Sequence, residues 1–305
     1  MGNSFNQLLS INDLKKEDIE LILQLAENMK EISQRDIKKV PTLRGKTIIN
    51  LFYEPSTRTR TSFELAGKRL NADVINISVS SSSIVKGESL IDTGKTLQAM
   101  NPDVIVIRHS KSGAANLLAK NVTASVINAG DGIHEHPTQA LLDLFSIKEK
   151  VKSLNGLSVC IVGDISHSRV ARSDIFCFKK MGMEVKVVGP ATLIPVDIEK
   201  MGVKVLYNLE EGIKDIDVII CLRIQRERLD SNFFPSIREY SKFFGINAER
   251  LKNLKKDLII MHPGPINRGI EISPEVADGP FSIILDQVTN GVAIRMAILY
   301  LFAGK

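Results

Sequence analysis

The sequence places an unusual run of hydroxyl and guanidinium side chains at residues 56–60. The run, STRTR, directly follows the apolar segment KTIINLF. Pro55 and Ser56 are typical of a helix start, with Ser56 as the N-cap. A helix N-terminus offers free N–H groups and a partial positive charge, and the hydroxyls and the Arg58 fork add donors. The run therefore predicts an anion cradle; the alternative is an exposed, well-capped helix start.

Two further polar groups follow apolar segments in the first half of the chain. PDVIVIR ends at Arg108, and ASVINA leads into AGDGIHEHPTQALLDL, where His134, His136 and Gln139 stand at a loop-to-helix junction. Pro137 suits the first turn of that helix. Because no Cys or carboxylate ligand set stands at zinc-like spacing, no metal is expected. We interpret His136 as a hydrogen-bond donor to an oxygen that gains negative charge.

The second half of the chain carries arginines at similar places. Arg169 lies in IVGDISHSRVARS, whose Gly163 lacks the G-x-G-x-x-G spacing of a nicotinamide site. Arg223 opens RIQRER after the apolar DVIICL, where the alternative is a charged surface helix. The segment MHPGPINRG turns sharply at Pro263 and Pro265 and presents backbone carbonyls.

Arginines at strand ends in both halves predict a pair of polyanionic ligands. Lys86, in KGESLIDT, adds a further cation, although by itself it would be interpreted as a solvated loop lysine. The sequence has no P-loop, no kinase-like metal loop and no G-x-S-x-G elbow. We therefore expect group transfer that relies on positioning and on stabilisation of charge.

Apolar and helical segments alternate along the whole chain. An opening helical pattern, LKKEDIELILQLAENMKEI, precedes the strand candidates KTIINLF, DVINISV, PDVIVIR, ASVINA, LSVCIVGD, MEVKVVG, DVIICL and KDLIIMH. Continuous Val/Ile-rich runs indicate parallel strands that are covered on both faces. With a polar stretch near residue 150, the pattern predicts two open parallel-sheet α/β domains. Ligands of such sheets bind beyond the carboxyl ends of the strands, where the polar groups lie.

The composition of the 305-residue chain excludes several functional classes. Its net charge of +5 comes from scattered basic residues without an aromatic stacking platform, so no nucleic-acid partner is expected. The most apolar run, VAIRMAILYLFAG, is interrupted by Arg295 and too short to span a bilayer, so no membrane association is expected. Three cysteines without a C-x-x-C pair and the lack of a signal peptide predict a cytoplasmic protein.

These motifs together are similar to those of a known family. Over essentially its whole length the chain resembles the catalytic chains of bacterial aspartate carbamoyltransferases, in the aspartate/ornithine carbamoyltransferase superfamily. The matching stretches are FYEPSTRTRTSFE, KGESLIDT, VIRHS, AGDGIHEHPTQALLDL, VGDISHSR, RIQRERL, MHPGPINRG and QVTNGVAIRMA. STRTR with HPTQ marks the superfamily, and R-x-Q-x-E-R with H-P-x-P selects the aspartate branch.

The resemblance implies one domain for each of two substrates. Residues 1–149 and 288–305 would form a carbamoyl-phosphate-binding domain, to which the last helix returns, and residues 150–287 an aspartate-binding domain. The implied reaction transfers the carbamoyl group of carbamoyl phosphate to the α-amino group of L-aspartate, early in de novo pyrimidine biosynthesis, with no cofactor. The resemblance also implies a homotrimer with active sites shared between subunits. It leaves open whether a regulatory chain or a dihydroorotase is a further partner.

The same resemblance assigns the site residues. The residues that would bind carbamoyl phosphate are Ser56, Thr57, Arg58, Thr59, Ser82, Lys86, Arg108, His136, Gln139 and the backbone of Gly264 and Pro265. Those that would bind aspartate are Lys86, Arg169, Arg223 and Gln225. The catalytic groups would be Arg58, Thr59, Lys86, Arg108 and His136, with Ser82 and Lys86 reaching into a neighbouring subunit. Glu54 would pair with Arg169 and Arg228 when the domains close.

Three other functional classes fit the sequence less well than an aspartate carbamoyltransferase does. An ornithine carbamoyltransferase would usually carry an H-C-L-P turn and a Ser-Met-Gly loop, whereas this chain has Pro263 and Gly264 and the basic Arg223. A non-catalytic descendant would have lost some of the residues Arg58, Lys86, Arg108 and His136, and all four are present. A nucleic-acid-binding module would need a basic stripe.

Overall fold

The computed structural model describes residues 6–78, 87–224, 236–252 and 254–304. The chain divides into two compact units. Unit 1 comprises Met1–Leu142 and Val288–Lys305, and unit 2 comprises Asp143–Gln287. Unit 2 is therefore one continuous stretch of chain, whereas unit 1 contains both the beginning and the end.

Unit 1 is built on a four-stranded parallel sheet. Its strands are β1 (Thr47–Phe52), β2 (Asp73–Ser78), β3 (Val104–His109) and β4 (Ser125–Asp131), in the order β2-β1-β3-β4. The helices that begin in this part of the chain are α1 (Lys16–Gln34), α2 (Thr57–Arg69), α3 (Leu90–Gln98), α4 (Ala114–Ala119) and α5 (Pro137–Lys148).

Unit 2 is built on a five-stranded parallel sheet. Its strands are β5 (Ser158–Val162), β6 (Glu184–Val188), β7 (Lys204–Leu206), β8 (Val218–Cys221) and β9 (Ile259–Met261), in the order β7-β6-β5-β8-β9. The helices from here to the C-terminal end are α6 (Arg169–Lys180), α7 (Leu209–Gly212), α8 (Ile237–Phe244), α9 (Ala248–Leu251), α10 (Pro274–Ala277) and α11 (Ile284–Ala303).

The two parallel α/β sheets confirm the fold class predicted from the sequence. The central strand β8 is buried along its whole length, because helices cover both faces of a parallel sheet. Strand β7 was not among the predicted strands. It has only three residues at the edge of the sheet, and Lys204 is exposed, so it lacks the continuous apolar run of a central strand. The opening helix begins at Lys16, so Leu14, predicted within it, precedes it, although its side chain is buried.

The C-terminal helix α11 returns the chain to unit 1, as predicted. Its last two-thirds are buried on several sides, at residues such as Ile294, Ala297 and Leu299. The buried Arg295 interrupts this apolar stretch. Its Nη1 donates a hydrogen bond of 2.8 Å to Ser62 Oγ in α2, and its guanidinium carbon lies 5.2 Å from the centre of the Phe63 ring. Within the described residues, none of the helices combines the length and the apolar character that crossing a bilayer requires.

The three cysteines are free thiols and all are buried. Cys160 lies in β5 and Cys221 at the end of β8, which are neighbouring strands. Burial raises the pKa of the Cys160 thiol to about 12, and it raises that of Cys221 as well. Both residues therefore behave as small hydrophobic side chains, in agreement with their interpretation from the sequence.

Candidate functional site

In unit 1, the polar segments singled out in the sequence follow three neighbouring strands. β1, β3 and β4 are adjacent in the sheet, and their ends are level, because Phe52 pairs with Arg108 and His109 with Asp131. The parallel arrangement brings the three carboxyl ends to one edge. The STRTR run, Arg108 and the loop before α5 therefore gather there, as the sequence pattern predicts.

The start of α2 has the geometry of a capped helix. Ser56 is the N-cap, and its Oγ accepts a hydrogen bond of 3.4 Å from the backbone N–H of Thr59. The side chains of Phe63, Ala66 and Leu70 are fully buried, as predicted, and they hold the helix in place. Thr59 is buried, whereas Arg58 is exposed. The N-terminal turn of α2, with its partial positive charge, is therefore a suitable place for an anion.

Arg108 joins the ends of all three strands. Its Nη2 donates to Glu54 Oε1, just after β1, at 2.9 Å, and its Nη1 donates to the carbonyl oxygen of Ala129 in β4 at 3.3 Å. The two side chains of the ion pair are 12% and 21% exposed. A planar guanidinium held by two partners in this way presents its remaining edge in a fixed direction.

His136 and Gln139 lie at the start of α5 and are both largely buried. Pro137 is the first helical residue, which confirms the prediction for it. The preceding loop is ordered by Asp131, whose carboxylate accepts from the backbone N–H of Gly113 at 2.7 Å and from the side chain of Asn128 at 2.8 Å. These hydrogen bonds fix the backbone of the loop and therefore the position of His136.

Unit 2 repeats the same arrangement. β5, β8 and β9 are neighbours in the sheet, with Val162 paired to Cys221 and Ile220 to Met261. Their carboxyl ends lead into the loop before Arg169, into Arg223 and into the turn at residues 263–265. The three segments that the sequence singled out in this half thus share one edge of the sheet.

Arg169 is placed by the tight loop that follows β5. Gly163 has a φ of +134°, and a Cβ there would lie only 3.1 Å from the Cβ of Leu222, so this close approach requires glycine. Asp164 then accepts from the backbone N–H of His167 at 3.1 Å and bonds to its Nδ1 at 2.9 Å. Ser168 caps α6, of which Arg169 is the first residue, and Arg169 is buried.

The turn after β9 is held by two buried side chains, His262 and Glu271. The sequence motif H-P-x-P contains His262 but gave it no role, and no sequence pattern indicated Glu271. The backbone N–H of Gly264 donates to His262 Nδ1 at 2.8 Å, and His262 Nε2 lies 3.2 Å from Glu271 Oε1. Gly264 has a φ of +67°, and the peptide bond to Pro265 is cis. The available signal was an acidic residue between two isoleucines, Ile270 and Ile272.

Four of the predicted site residues lie outside the described part of the chain: Ser82, Lys86, Gln225 and Arg228. The roles implied for them stay predictions. The pairing of Glu54 with Arg169 and Arg228 also stays a prediction, and in this structure Glu54 binds Arg108.

Family models match both halves of the chain. The model described as the aspartate/ornithine carbamoyltransferase carbamoyl-P binding domain matches residues 6–149. The model for the Asp/Orn binding domain of the same enzymes matches residues 155–302. The chain belongs to the aspartate/ornithine carbamoyltransferase family. The resemblance inferred from its motifs is thereby confirmed.

Individual members of the family are similar over nearly their whole length. The chain is 64% identical, over 297 residues, to the aspartate carbamoyltransferase catalytic subunit of Syntrophus aciditrophicus, covering 97% of each chain. Among solved structures, it matches the aspartate transcarbamoylase of Trypanosoma cruzi in complex with carbamoyl phosphate and aspartate, with a TM-score of 0.88 and 32% identity, covering 97% of this chain and 96% of that one.

The fold does not separate the two branches of the family. The ornithine carbamoyltransferase of Pyrococcus furiosus matches with a TM-score of 0.86 and 31% identity, covering 98% of this chain and 97% of that one. These values are close to those for the aspartate enzyme, because the branches share one architecture. The acceptor amino acid must therefore be inferred from the site residues and from the high-identity relatives.

Proposed function

We propose that this chain is an aspartate carbamoyltransferase. It transfers the carbamoyl group of carbamoyl phosphate to the α-amino group of L-aspartate and gives N-carbamoyl-L-aspartate and phosphate. The observation that carries the proposal is the strand edge of unit 1, where a capped helix start, Arg108 and His136 gather around the ends of three parallel strands. The identity of 64% to an aspartate carbamoyltransferase catalytic subunit supports aspartate as the acceptor.

In this proposal, unit 1 binds carbamoyl phosphate. The phosphate lies at the start of α2, within reach of its N–H groups and of the side chains of Ser56, Thr57, Arg58 and Thr59. The carbonyl oxygen accepts from Arg108, Thr59 and His136, and the amide contacts Gln139. A capped helix start and a guanidinium with two fixed partners support these roles.

Unit 2 binds aspartate in the same proposal. Arg169 and Arg223 hold the two carboxylates, and Gln225 assists them. The backbone carbonyls of Gly264 and Pro265 accept from the amino groups of the substrates. The basic character of two neighbouring strand ends favours an acceptor with a second carboxylate over ornithine, whose side chain is a cation.

The reaction follows from these contacts. The α-amino nitrogen attacks the carbonyl carbon, and a tetrahedral intermediate forms with a negative oxygen. Arg108, Thr59 and His136 stabilise that oxygen by donating hydrogen bonds to it as the charge develops. The bond between the carbon and the phosphate oxygen then breaks, and the departing phosphate takes up the proton that the amine loses. The enzyme contributes orientation and charge stabilisation and forms no covalent bond.

Assembly and location belong to the same proposal. Ser82 and Lys86 complete the site of a neighbouring subunit in a homotrimer, and a regulatory chain or a dihydroorotase is a further partner to be tested. A cytoplasmic location in de novo pyrimidine biosynthesis agrees with three buried free thiols, which suit a reducing compartment.

Phosphate release from carbamoyl phosphate tests the proposal. The purified chain is assayed with aspartate, with ornithine and with no acceptor, and Arg108→Ala protein from the same preparation serves as the background control. We expect phosphate release with aspartate as the acceptor, and none with ornithine or without an acceptor. Release with ornithine alone would mean that the Arg223 segment has been misinterpreted, and no release with either acceptor would contradict the proposed activity of the chain on its own.

A further inference from the structure

The turn at residues 263–265 rests on an imidazole that solvent does not reach. The side chains of His262 and Glu271 are 0% and 1% exposed. His262 follows directly after β9, and its Nδ1 accepts the backbone N–H of Gly264, two residues further along, at 2.8 Å. The position of Gly264 therefore depends on which ring nitrogen of His262 carries a proton.

The hydrogen bonds decide between the two forms of the ring. A nitrogen that accepts the Gly264 N–H must have its lone pair free, so Nδ1 carries no proton. The proton of a neutral imidazole then lies on Nε2, which is 3.2 Å from Glu271 Oε1. An imidazolium, or the tautomer with the proton on Nδ1, would place two N–H donors against each other at Gly264. The Glu271 carboxylate, as an acceptor, selects the form that holds the turn.

Glu271 also holds the other end of the same turn. Its Oε1 accepts the backbone N–H of Asn267 at 2.6 Å. The side chain of Asn267 in turn donates to the carbonyl oxygen of Ile224, next to Arg223, at 3.5 Å. One buried carboxylate thus fixes residue 264 through His262, fixes residue 267 directly, and connects both to the segment of Arg223.

The backbone at His262 is anchored independently of its ring. Its N–H donates to Gln287 Oε1 at 3.0 Å, and Gln287 Nε2 donates to Asp143 Oδ1 at 2.6 Å. A change to the imidazole therefore removes the bond to Gly264 while the end of β9 keeps its own anchor. This separation makes the role of the ring testable.

We propose that Glu271 is a positioning residue: it fixes the Nε2-protonated form of His262, so that Nδ1 holds Gly264 and, with it, the backbone carbonyls that orient the substrate amine. The inference rests on the proposed function of the turn. It assigns a role in the reaction to two side chains that do not touch the substrates.

Two substitutions of His262 test the role of Nδ1. In His262→Asn, the side-chain oxygen takes about the place of Nδ1, whereas in His262→Gln the amide is one bond further out, near Nε2. Only the Asn variant keeps the acceptor for Gly264 N–H. We expect the kcat of the Asn variant to stay within about threefold of the wild-type value. The kcat of the Gln variant should fall roughly 10- to 100-fold, because a displacement of reacting groups by about 1 Å lowers the rate by about that factor. The KM for carbamoyl phosphate should rise in the Gln variant only, because the proposed function assigns the Gly264 and Pro265 backbone to that substrate as well.

Substitutions of Glu271 provide a second comparison. Glu271→Gln keeps an oxygen acceptor and should retain most of the kcat, whereas Glu271→Leu removes it and should lose as much kcat as His262→Gln. Equal kcat values in the Asn and Gln variants of His262, with the wild type active, would overturn the inference and leave the proposed function standing. A wild type without carbamoyl transfer would instead contradict the proposed function.

The tautomer can be measured without any activity. The chain has five histidines, so ¹⁵N-histidine labelling gives few imidazole signals, and the spectrum of the His262→Asn protein identifies those of His262. We expect an unprotonated Nδ1 and a protonated Nε2. A protonated Nδ1 in the wild type would overturn the inference even if every variant behaved as expected.

Discussion

Arg108 Nη2 lies 2.9 Å from Glu54 Oε1, and this ion pair connects the ends of two neighbouring parallel strands. The same guanidinium also reaches the carbonyl oxygen of Ala129 in the third strand. The most important cation of the proposed carbamoyl-phosphate site is thus oriented before any substrate arrives. Preorganised donors of this kind stabilise a developing charge without a cost of reorganisation.

Replacement of Arg108 by Lys should lower kcat by roughly 10² to 10³, although the charge is kept. A single ammonium cannot bind Glu54 and Ala129 at once and still present a planar edge to the substrate. Steady-state kinetics with saturating aspartate provide the measurement, and the exposed Arg44→Lys is the control. An Arg108→Lys enzyme with wild-type kcat would show that charge alone is sufficient.

Removal of the hydroxyl of Ser56 should weaken the binding of carbamoyl phosphate. Ser56→Ala loses the N-cap of α2, which costs about 1 kcal/mol of stability, and loses a donor to the phosphate, so we expect the KM for carbamoyl phosphate to rise about tenfold. Asn208→Ala is the matched control, because Asn208 caps α7 through the N–H of Glu211 at 3.0 Å. It should change the stability but not the KM. Equal KM values for the two variants would contradict phosphate binding at Ser56.

The buried Asp174 should make the protein less stable as the pH rises. Its side chain is 0% exposed, and neither carboxyl oxygen has a hydrogen-bond partner among the described residues. Burial, and secondarily repulsion by Asp143, raise its pKa well above the usual value. Because the folded protein holds this proton more tightly than the unfolded chain, the free energy of unfolding falls as the pH rises above about 4 towards the raised pKa.

Asp174→Asn removes this titration. Urea unfolding at pH 5 and at pH 8 should show a smaller loss of stability with rising pH than in the wild type. Asp215→Asn, at an exposed aspartate, should leave the pH dependence of the wild type unchanged. If the two variants had the same pH dependence, Asp174 would already be ionised in the folded protein.

Hybrid oligomers test the proposed sharing of sites between subunits. Lys86→Ala and Arg58→Ala proteins should each be nearly inactive. When they are mixed, dissociated and reassembled, a site that takes Lys86 from one subunit and Arg58 from another becomes intact, so part of the activity should return. Each variant treated alone is the control. Mixtures that remain inactive would contradict the shared site.

The repeating pattern of the sequence was enough to predict most of the fold. Continuous apolar runs such as VIVI in β3 and VIIC in β8 can be recognised because parallel strands are buried on both faces. The short edge strand β7 was not predicted, because its lysine, valine and leucine form no continuous apolar run and pair with one neighbouring strand only. The N-cap Ser56 was predicted because capping depends on local sequence.

Contacts that depend on register could not be predicted in the same way. Glu54 and Arg108 meet because β1 and β3 are neighbours with Phe52 level with Arg108, and nothing local in either segment specifies that pairing. His262 and Glu271 meet across a turn whose backbone brings residues nine positions apart together. The sequence therefore indicates which side chains are unusual, whereas the sheet decides which of them bind each other.

The division of unit 1 between the two ends of the chain has a consequence for biosynthesis. The ribosome makes the first part of unit 1, Met1–Leu142, before unit 2, but α11, which packs against α2 through Arg295 and Phe63, is made after unit 2. Protein synthesis proceeds at roughly 5–20 residues per second. The first part of unit 1 therefore lacks α11 for on the order of ten seconds, while unit 2 is synthesised. During that interval the apolar surface beside Gly67 that later receives Leu299 is uncovered, so the nascent chain is most vulnerable to aggregation until α11 has been made.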